Sequence, residues 1–185
     1  MQKTQQNLLK AFAGESMARN KYTAFAQKAR QEGLEWIARI FEETAENEMS
    51  HALREYALVQ GEVETTNTYD VHAMGSTVDN LKIAAAGEHY EWESMYPEFE
   101  ATAKEENQTA AAIAFREVAA VEKRHEERYL TLASFLEENK LYVAEEEVEW
   151  KCLHCGHMHK GKEAPKVCPA CLKPQGFFMR IGLVQ

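Results

Sequence analysis

Apolar residues recur by threes and fours through four long stretches of the chain, the period of α-helices with one buried face. The first stretch, residues 4 to about 32, carries Leu8, Ala11, Ala18, Tyr22 and Phe25 on that face. Thr4 is predicted to cap it and Gly33 to end it. The second, residues 34 to 60, carries Phe41, Thr44 and Leu58 and closes at Gly61. The third starts at Ser76 or Thr77 and carries Leu81, Ala84 and Met95. Pro97 falls inside its pattern and predicts a kink before the helix fades near Lys104. The fourth, capped by Asn107, carries Phe115, Val118, Tyr129, Leu132 and Leu136. It is expected to run to about Glu138 with Asn139 as a left-handed stop. Glu62 to Gly75 has no helical period and is long for a link within a bundle. It suits a crossover that lets helices two and three run parallel. After Asn139 the texture changes: Leu141 to Trp150 alternates weakly, and Phe177 to Ile181 can form a strand beside Trp150. The expected fold is mainly α: a four-helix bundle over 1–139 with a long crossover between helices 2 and 3, then a small β-rich domain over 140–185.

Polar residues interrupt all four apolar faces. Glu48 and His51 form an E-x-x-H pair on the second, and Glu122 and His125 repeat it on the fourth. Residues three apart on a helix point the same way. One such pair alone reads as a core histidine beside a surface glutamate. Two of them, with a glutamate from each of two further helices, form the ligand pattern of two-metal sites in bundles. Glu15 supplies one further carboxylate, and the third helix supplies two, Glu88 and Glu91. The halves also resemble each other. Ala13-Gly14-Glu15 and Ala86-Gly87-Glu88 stand 73 residues apart, and the E-x-x-H pairs 74. A duplicated helix hairpin around a pseudo-two-fold axis accounts for both. Ala18 is the counterpart of Glu91, so the symmetry breaks there.

Five inward carboxylates need compensation that hydrogen bonds alone do not supply. Two metal ions balance them, and carboxylate with imidazole suits iron or manganese, with zinc also able to bind. Glu48 and Glu122 are expected to bridge, with Glu15 and Glu88 terminal. Glu91 is surplus to a six-ligand site and is expected to exchange with His51 as the oxidation state changes. Tyr22 and Tyr96 are candidates to hydrogen-bond the ligating glutamates. Ordinary core packing explains those two tyrosines equally well. Trp36, Trp92 and His89 have no face that separates them from packing residues.

The formal net charge is −9, which disfavours a nucleic-acid partner. No apolar run reaches membrane-spanning length. The first six residues lack a signal-peptide pattern, so a cytoplasmic location is the expectation. All four cysteines lie in two C-x-x-C pairs, Cys152/Cys155 and Cys168/Cys171. That spacing is a four-thiolate metal signal. Spacing alone favours a structural zinc ribbon; a redox bundle on the same chain favours iron. His154, His157 and His159 are expected to be solvated loop residues.

Together these motifs resemble the rubrerythrin family over the whole length. The bundle carries A-G-E at 13–15, E-x-x-H at 48–51, E-H-Y-E at 88–91 and E-x-x-H at 122–125. The tail from Trp150 to Cys171 resembles the family's rubredoxin-like domain. The resemblance implies a ferritin-like bundle with a di-iron centre of two non-haem irons and an iron in an Fe(Cys)4 site, where zinc can stand in preparations. It implies reduction of hydrogen peroxide to water in oxidative-stress defence and an exchange of Glu91 with His51; Glu91, His51, Tyr22 and Tyr96 are the expected catalytic residues. It also implies a homodimer whose rubredoxin-like domain lies near the other subunit's bundle, and electrons from a separate pyridine-nucleotide reductase or a rubredoxin. A ferroxidase or iron-storage protein, a zinc-bearing binding module and an oxygenase are the competing readings.

Overall fold

The computed structural model describes residues 3–69 and 71–184. Met1 and Gln2, in the stretch read for a signal-peptide pattern, Asp70, in the expected crossover, and Gln185 lie outside them. The amphipathic stretches fold as α1 (Lys3–Gln31), α2 (Glu35–Tyr56), α3 (Thr77–Tyr90), α4 (Tyr96–Glu105) and α5 (Thr109–Glu137). A five-residue π-helical segment, Glu91–Met95, joins α3 to α4. Helices α1 and α2 form one hairpin, and α3–α4 with α5 form the other.

Several helix ends differ from the sequence expectation. Thr4 lies inside α1 and is buried; its N–H is held by the Glu106 carboxylate from the α4–α5 turn. That glutamate also accepts the Lys3 N–H, so the cap comes from another helix. Helix α2 stops at Tyr56, before Gly61, through a turn in which the Leu58 N–H bonds the Glu55 carbonyl. Asn107 does not cap α5. It takes a left-handed conformation (φ 58°) that reverses the chain between α4 and α5. Pro97 opens α4, and the break precedes it as the π segment instead of a simple kink. Ser76 does cap α3: its hydroxyl accepts from the Asp79 N–H while Asp79 accepts from the Ser76 N–H. Gly33 (φ 79°) and Asn139 (φ 56°) end their helices in the left-handed region as expected.

The buried stripes make two apolar clusters, not one. Tyr22, Phe25, Ile37, Phe41, Leu81 and Leu132 belong to the first. Leu8, Ala11, Tyr96, Phe99, Phe115 and Val118 belong to the second. Helices α1 and α5 contribute to both clusters, and their inward glutamates fall between the contributions. Thus Glu15 separates Ala11 from Ala18, and Glu122 separates Val118 from Tyr129.

The C-terminal part is a three-stranded antiparallel sheet of order β2-β1-β3, from β1 (Val143–Cys152), β2 (Met158–Glu163) and β3 (Phe178–Arg180). Trp150 pairs with Arg180 and is fully buried, donating its indole N–H to the Gly161 carbonyl at 2.9 Å. This sheet packs on the α1–α2 turn. A Cβ on Gly176 would collide with the Gly33 carbonyl, so only glycine permits the approach. Leu153 and Met179 cover the neighbouring end of the first apolar cluster.

Candidate metal centres

Four helices converge their polar residues at the layer between the two clusters. Glu15 comes from α1, Glu48 and His51 from α2, Glu88 from α3, and Glu122 and His125 from α5. They form two groups: Glu15, Glu48, His51, Glu122 and Glu48, Glu88, Glu122, His125. One ligand atom from each member lies within 4.8 Å of the others in its group. Glu48 and Glu122 belong to both groups.

The two groups mirror each other. His51 Nδ1 lies 2.9 Å from Glu48, 2.8 Å from Glu122 and 3.9 Å from Glu15. His125 Nδ1 lies 2.7 Å from Glu122, 3.3 Å from Glu48 and 3.9 Å from Glu88. The rings stack 6.2 Å apart. The Asn47 side-chain nitrogen stands 3.3 Å from the other ring nitrogen of His125, which holds that ring's orientation.

These atoms are buried, close and unbonded. Both Nδ1 atoms, all four oxygens of Glu48 and Glu122, and Glu15 Oε2 lack a hydrogen-bond partner. Buried polar atoms are ordinarily paired. Ligand atoms aimed at common points, with lone pairs toward those points, fit a pair of metal ions.

The electrostatics show the same frustration. Burial, then Glu122, pushes the Glu15 carboxyl up to about 8. Glu88 and Glu91 are raised well above the ordinary carboxylate value by burial and by their acidic neighbours. Burial opposes ionisation of Glu48 too, but the close His125 and His51 rings outweigh it and hold that carboxyl down at about 2. Burial disfavours charge on His125, yet Glu122 and Glu48 lift it to about 9. The layer therefore demands positive charge.

Glu91 stands in the π segment and outside both groups. Its Oε1 lies 4.0 Å from where a Cβ on Gly14 would be, an ordinary van der Waals distance, so Glu91 packs against the α1 backbone at Gly14. The equivalent glycine, Gly87, faces the Lys21 ammonium instead.

Both tyrosines reach across to the opposite half. Tyr22 donates to Glu88 at 2.6 Å, and Tyr96 bonds Glu15. Tyr96 also lies 2.8 Å from Glu55, a fully buried glutamate with no assigned role in the sequence reading. Glu55 lies on the α2 stripe seven residues after Glu48, and that spacing was its available signal. The reading also missed a surface cluster in which Glu126 bonds both Trp92, at 2.5 Å, and His89, at 3.1 Å. Trp36 is a core residue.

The four cysteines meet in a second site. Cys152 and Cys171 sulfurs stand 3.7 Å apart, as do those of Cys155 and Cys168. A tetrahedron with metal–sulfur bonds of about 2.3 Å has edges of about 3.8 Å. Backbone N–H groups point at the sulfurs: His157 toward Cys155, Ala170 and Cys171 toward Cys168, and Lys173 toward Cys171. Burial raises Cys168, but those N–H groups outweigh it and hold the thiol down at about 7. The Gly156 N–H bonds the Cys152 carbonyl. Of the three nearby histidines, His154 is exposed against the Phe177 ring, while His159 is half-buried on β2 and not in a loop.

The rubrerythrin family model matches residues 6–133, and the rubredoxin-like domain of rubrerythrin matches residues 150–179. The chain belongs to the rubrerythrin family. Rubrerythrin-1 of Clostridium acetobutylicum is 49% identical over 181 residues, which cover 95% of this chain and 93% of that protein. A mixed-valence nigerythrin structure superposes with a TM-score of 0.66 at 38% identity, covering 96% of this chain and 86% of that one. The bacterioferritin of Mycobacterium tuberculosis, at 16% identity and a TM-score of 0.66, shares the ferritin-like fold over 75% of this chain and 88% of its own. Family and geometry agree: the Glu/His groups fit a di-iron centre, the cysteines fit Fe(Cys)4, and the chain is an iron-centre oxidoreductase. No helix among the described residues is long and apolar enough to cross a membrane.

Proposed function

We propose that this protein is a peroxidase of the cytoplasm that reduces hydrogen peroxide to water, taking electrons through its Fe(Cys)4 site. The observation that carries this reading is the presence, in one chain, of a convergent Glu/His pair site and a four-thiolate site. An iron store needs no attached electron donor; a two-electron reductase does. The balance is one hydrogen peroxide, two electrons and two protons to two waters. The irons supply the two electrons and the Lewis acidity. The similar nigerythrin occurs in mixed-valence and all-ferrous states, so that protein holds redox-active iron.

The residues take distinct roles in this proposal. Glu48 and Glu122 would each serve both metals, since each belongs to both ligand groups. Glu15 with His51, and Glu88 with His125, complete the two positions. Glu91, which stands outside both groups, would hold a metal in place of His51 in one oxidation state. Identical coordination in oxidised and reduced forms would sink the exchange. Tyr22 and Tyr96 orient the terminal glutamates. A functional boundary at 139/140 follows from the two sites.

A homodimer supplies the electron path. The β-rich domain meets the α1–α2 turn through Gly176, and Glu48 stands 13 residues along α2 from Glu35. That separation is roughly 20 Å along the helix. Electron transfer falls steeply with distance, so the partner's cysteine site is the better donor. A separate reductase or a rubredoxin refills it. The test is anaerobic reduction followed by peroxide or oxygen in a stopped-flow instrument. Rapid oxidation by peroxide, with one peroxide consumed per di-iron site, is the expected result. Fast oxygen uptake with ferric mineral, and a slow peroxide reaction, would establish a ferroxidase instead.

A further inference from the structure

None of the five residues of the π segment is buried, so the core does not hold them as it holds the helices on either side. Met95 rests against the second apolar cluster at one end. Towards the other end the segment is held from outside, through Trp92. The Trp92 indole N–H donates to Glu126 Oε2 at 2.5 Å, and His89 Nδ1 lies 3.1 Å from Glu126 Oε1. The His89 ring meets the indole edge-on at 5.3 Å, and the Lys123 ammonium stands 5.0 Å over the indole. An N–H bond to a carboxylate is among the stronger hydrogen bonds, and a cation over an indole adds to the hold.

Trp92 directly follows Glu91, and Glu126 directly follows His125. The Glu91 carboxylate faces Glu15, Glu122 and Glu48. The Glu91 carbonyl accepts the Tyr96 N–H, the bond that closes the π turn. π turns are rare, and one that persists needs support beyond its own backbone bonds. The other half of the internal repeat has no such support. By the offsets of 73 and 74, Ser16 stands for His89, Arg19 for Trp92, Met49 for Lys123 and Ala52 for Glu126. Ala52 offers no side-chain acceptor. In that half α1 runs on as an unbroken α-helix, and Ala18 stands for Glu91. The clamp, the π turn and the surplus carboxylate are present together in one half and absent together in the other.

We propose that Glu126, acting through the Trp92 indole, clamps the π turn and so positions the Glu91 carboxylate beside the ligand groups. Glu126 and Trp92 are positioning residues, and their hold reaches Glu91 through the peptide bond between Glu91 and Trp92. Loss of the clamp frees the segment to rewind, which turns Glu91 away from the layer. That Glu91 serves a metal rests on the function proposed above; the clamp itself does not.

Amide exchange reads the clamp, and the absorption of the bundle iron reads the position of Glu91. Trp92→Phe keeps a ring but has no N–H. In that variant the peptide spanning residues 91–96 should exchange at least about tenfold faster than in the wild type, with iron or without it, while α1 exchanges as before. Glu126→Ala should do the same. Glu126→Gln, whose amide oxygen still accepts from the indole, should recover most of the protection. In the iron-loaded variants that lose protection, the absorption of the oxidised bundle iron should change while the Fe(Cys)4 bands stay fixed, and Glu126→Gln should restore it. Should Trp92→Phe fail to fold, Glu126→Ala and Glu126→Gln keep the indole and make the same comparison. Unchanged exchange on loss of the bond overturns the clamp. Faster exchange with an unchanged bundle-iron absorption makes the clamp merely structural and overturns the positioning of Glu91. A wild type inert to peroxide, with protection still lost in the variants, rejects the peroxidase reading and leaves the clamp standing.

Discussion

At the residue scale, membership of both ligand groups separates residues that the sequence treats alike. Glu15 and Glu48 are both inward glutamates on apolar faces, but only Glu48 reaches both groups. Glu48→Ala should therefore empty both bundle positions, while Glu15→Ala should empty one and spare the other. Iron counted per chain after loading and desalting checks this, with the Fe(Cys)4 absorption as an internal standard unaffected by either change. Equal losses would show that neither carboxylate is shared. The residue scale is also where sequence reading met its limit. Glu55 and Glu48 share a stripe, but a stripe does not say whether a carboxylate meets a ligand group or a phenol on another helix.

At the element scale, the π segment explains an irregularity in the internal repeat. Glu15 and Glu88 are 73 residues apart, whereas Tyr22 and Tyr96, and Glu48 and Glu122, are 74 apart. The extra residue falls between Glu88 and Tyr96, where the chain makes its π turns. A π turn absorbs an inserted residue without unwinding the helix. It brings Tyr96, not Met95, into the core, which corrects the expected stripe. Pro97 cannot donate an amide to the preceding turn, and this favours the irregular winding before it. The start of α3 is the simpler case. Ser76→Ala should cost about 1 kcal/mol, read as a lower melting temperature. Ser76 holds the Asp79 carboxylate below its ordinary value. Since the folded value is the lower one, Asp79 contributes fully above the unfolded carboxylate range near pH ~4. That contribution is lost as pH falls through the folded value. The difference between wild type and Ser76→Ala should therefore narrow in acid, and a pH-independent difference would assign the cap to the serine alone.

At the scale of the whole molecule, two contacts govern how the parts work together. Gly176 lets the β-rich domain sit against the α1–α2 turn. Gly176→Ala should loosen that seating at a cost of about 1–3 kcal/mol, with faster proteolysis between residues 137 and 143 as the readout. Unchanged cleavage would place the domain's anchorage elsewhere. The cysteine site should be dispensable for one turnover and necessary for many. Cys152→Ser, reduced chemically, should oxidise with peroxide as fast as wild type but stop turning over with a reductase. Sustained turnover would reveal a second entry for electrons.

What the sequence determined by itself was periodicity and donor chemistry. Four apolar stripes, seven glutamate or histidine interruptions at helical spacing and two C-x-x-C pairs specify a bundle with a carboxylate layer and a thiolate knuckle, because side-chain direction in a helix follows from residue number. The left-handed stops at Gly33 and Asn139 were legible for the same local reason. Tertiary structure decided whatever depends on a partner distant in the chain. Glu106 caps α1 from 102 residues away, Tyr96 joins Glu15 to Glu55, and Gly176 meets Gly33. Such contacts depend on how helices are rotated and offset against one another, and a one-residue π insertion changes both, so spacing along a single helix does not contain them.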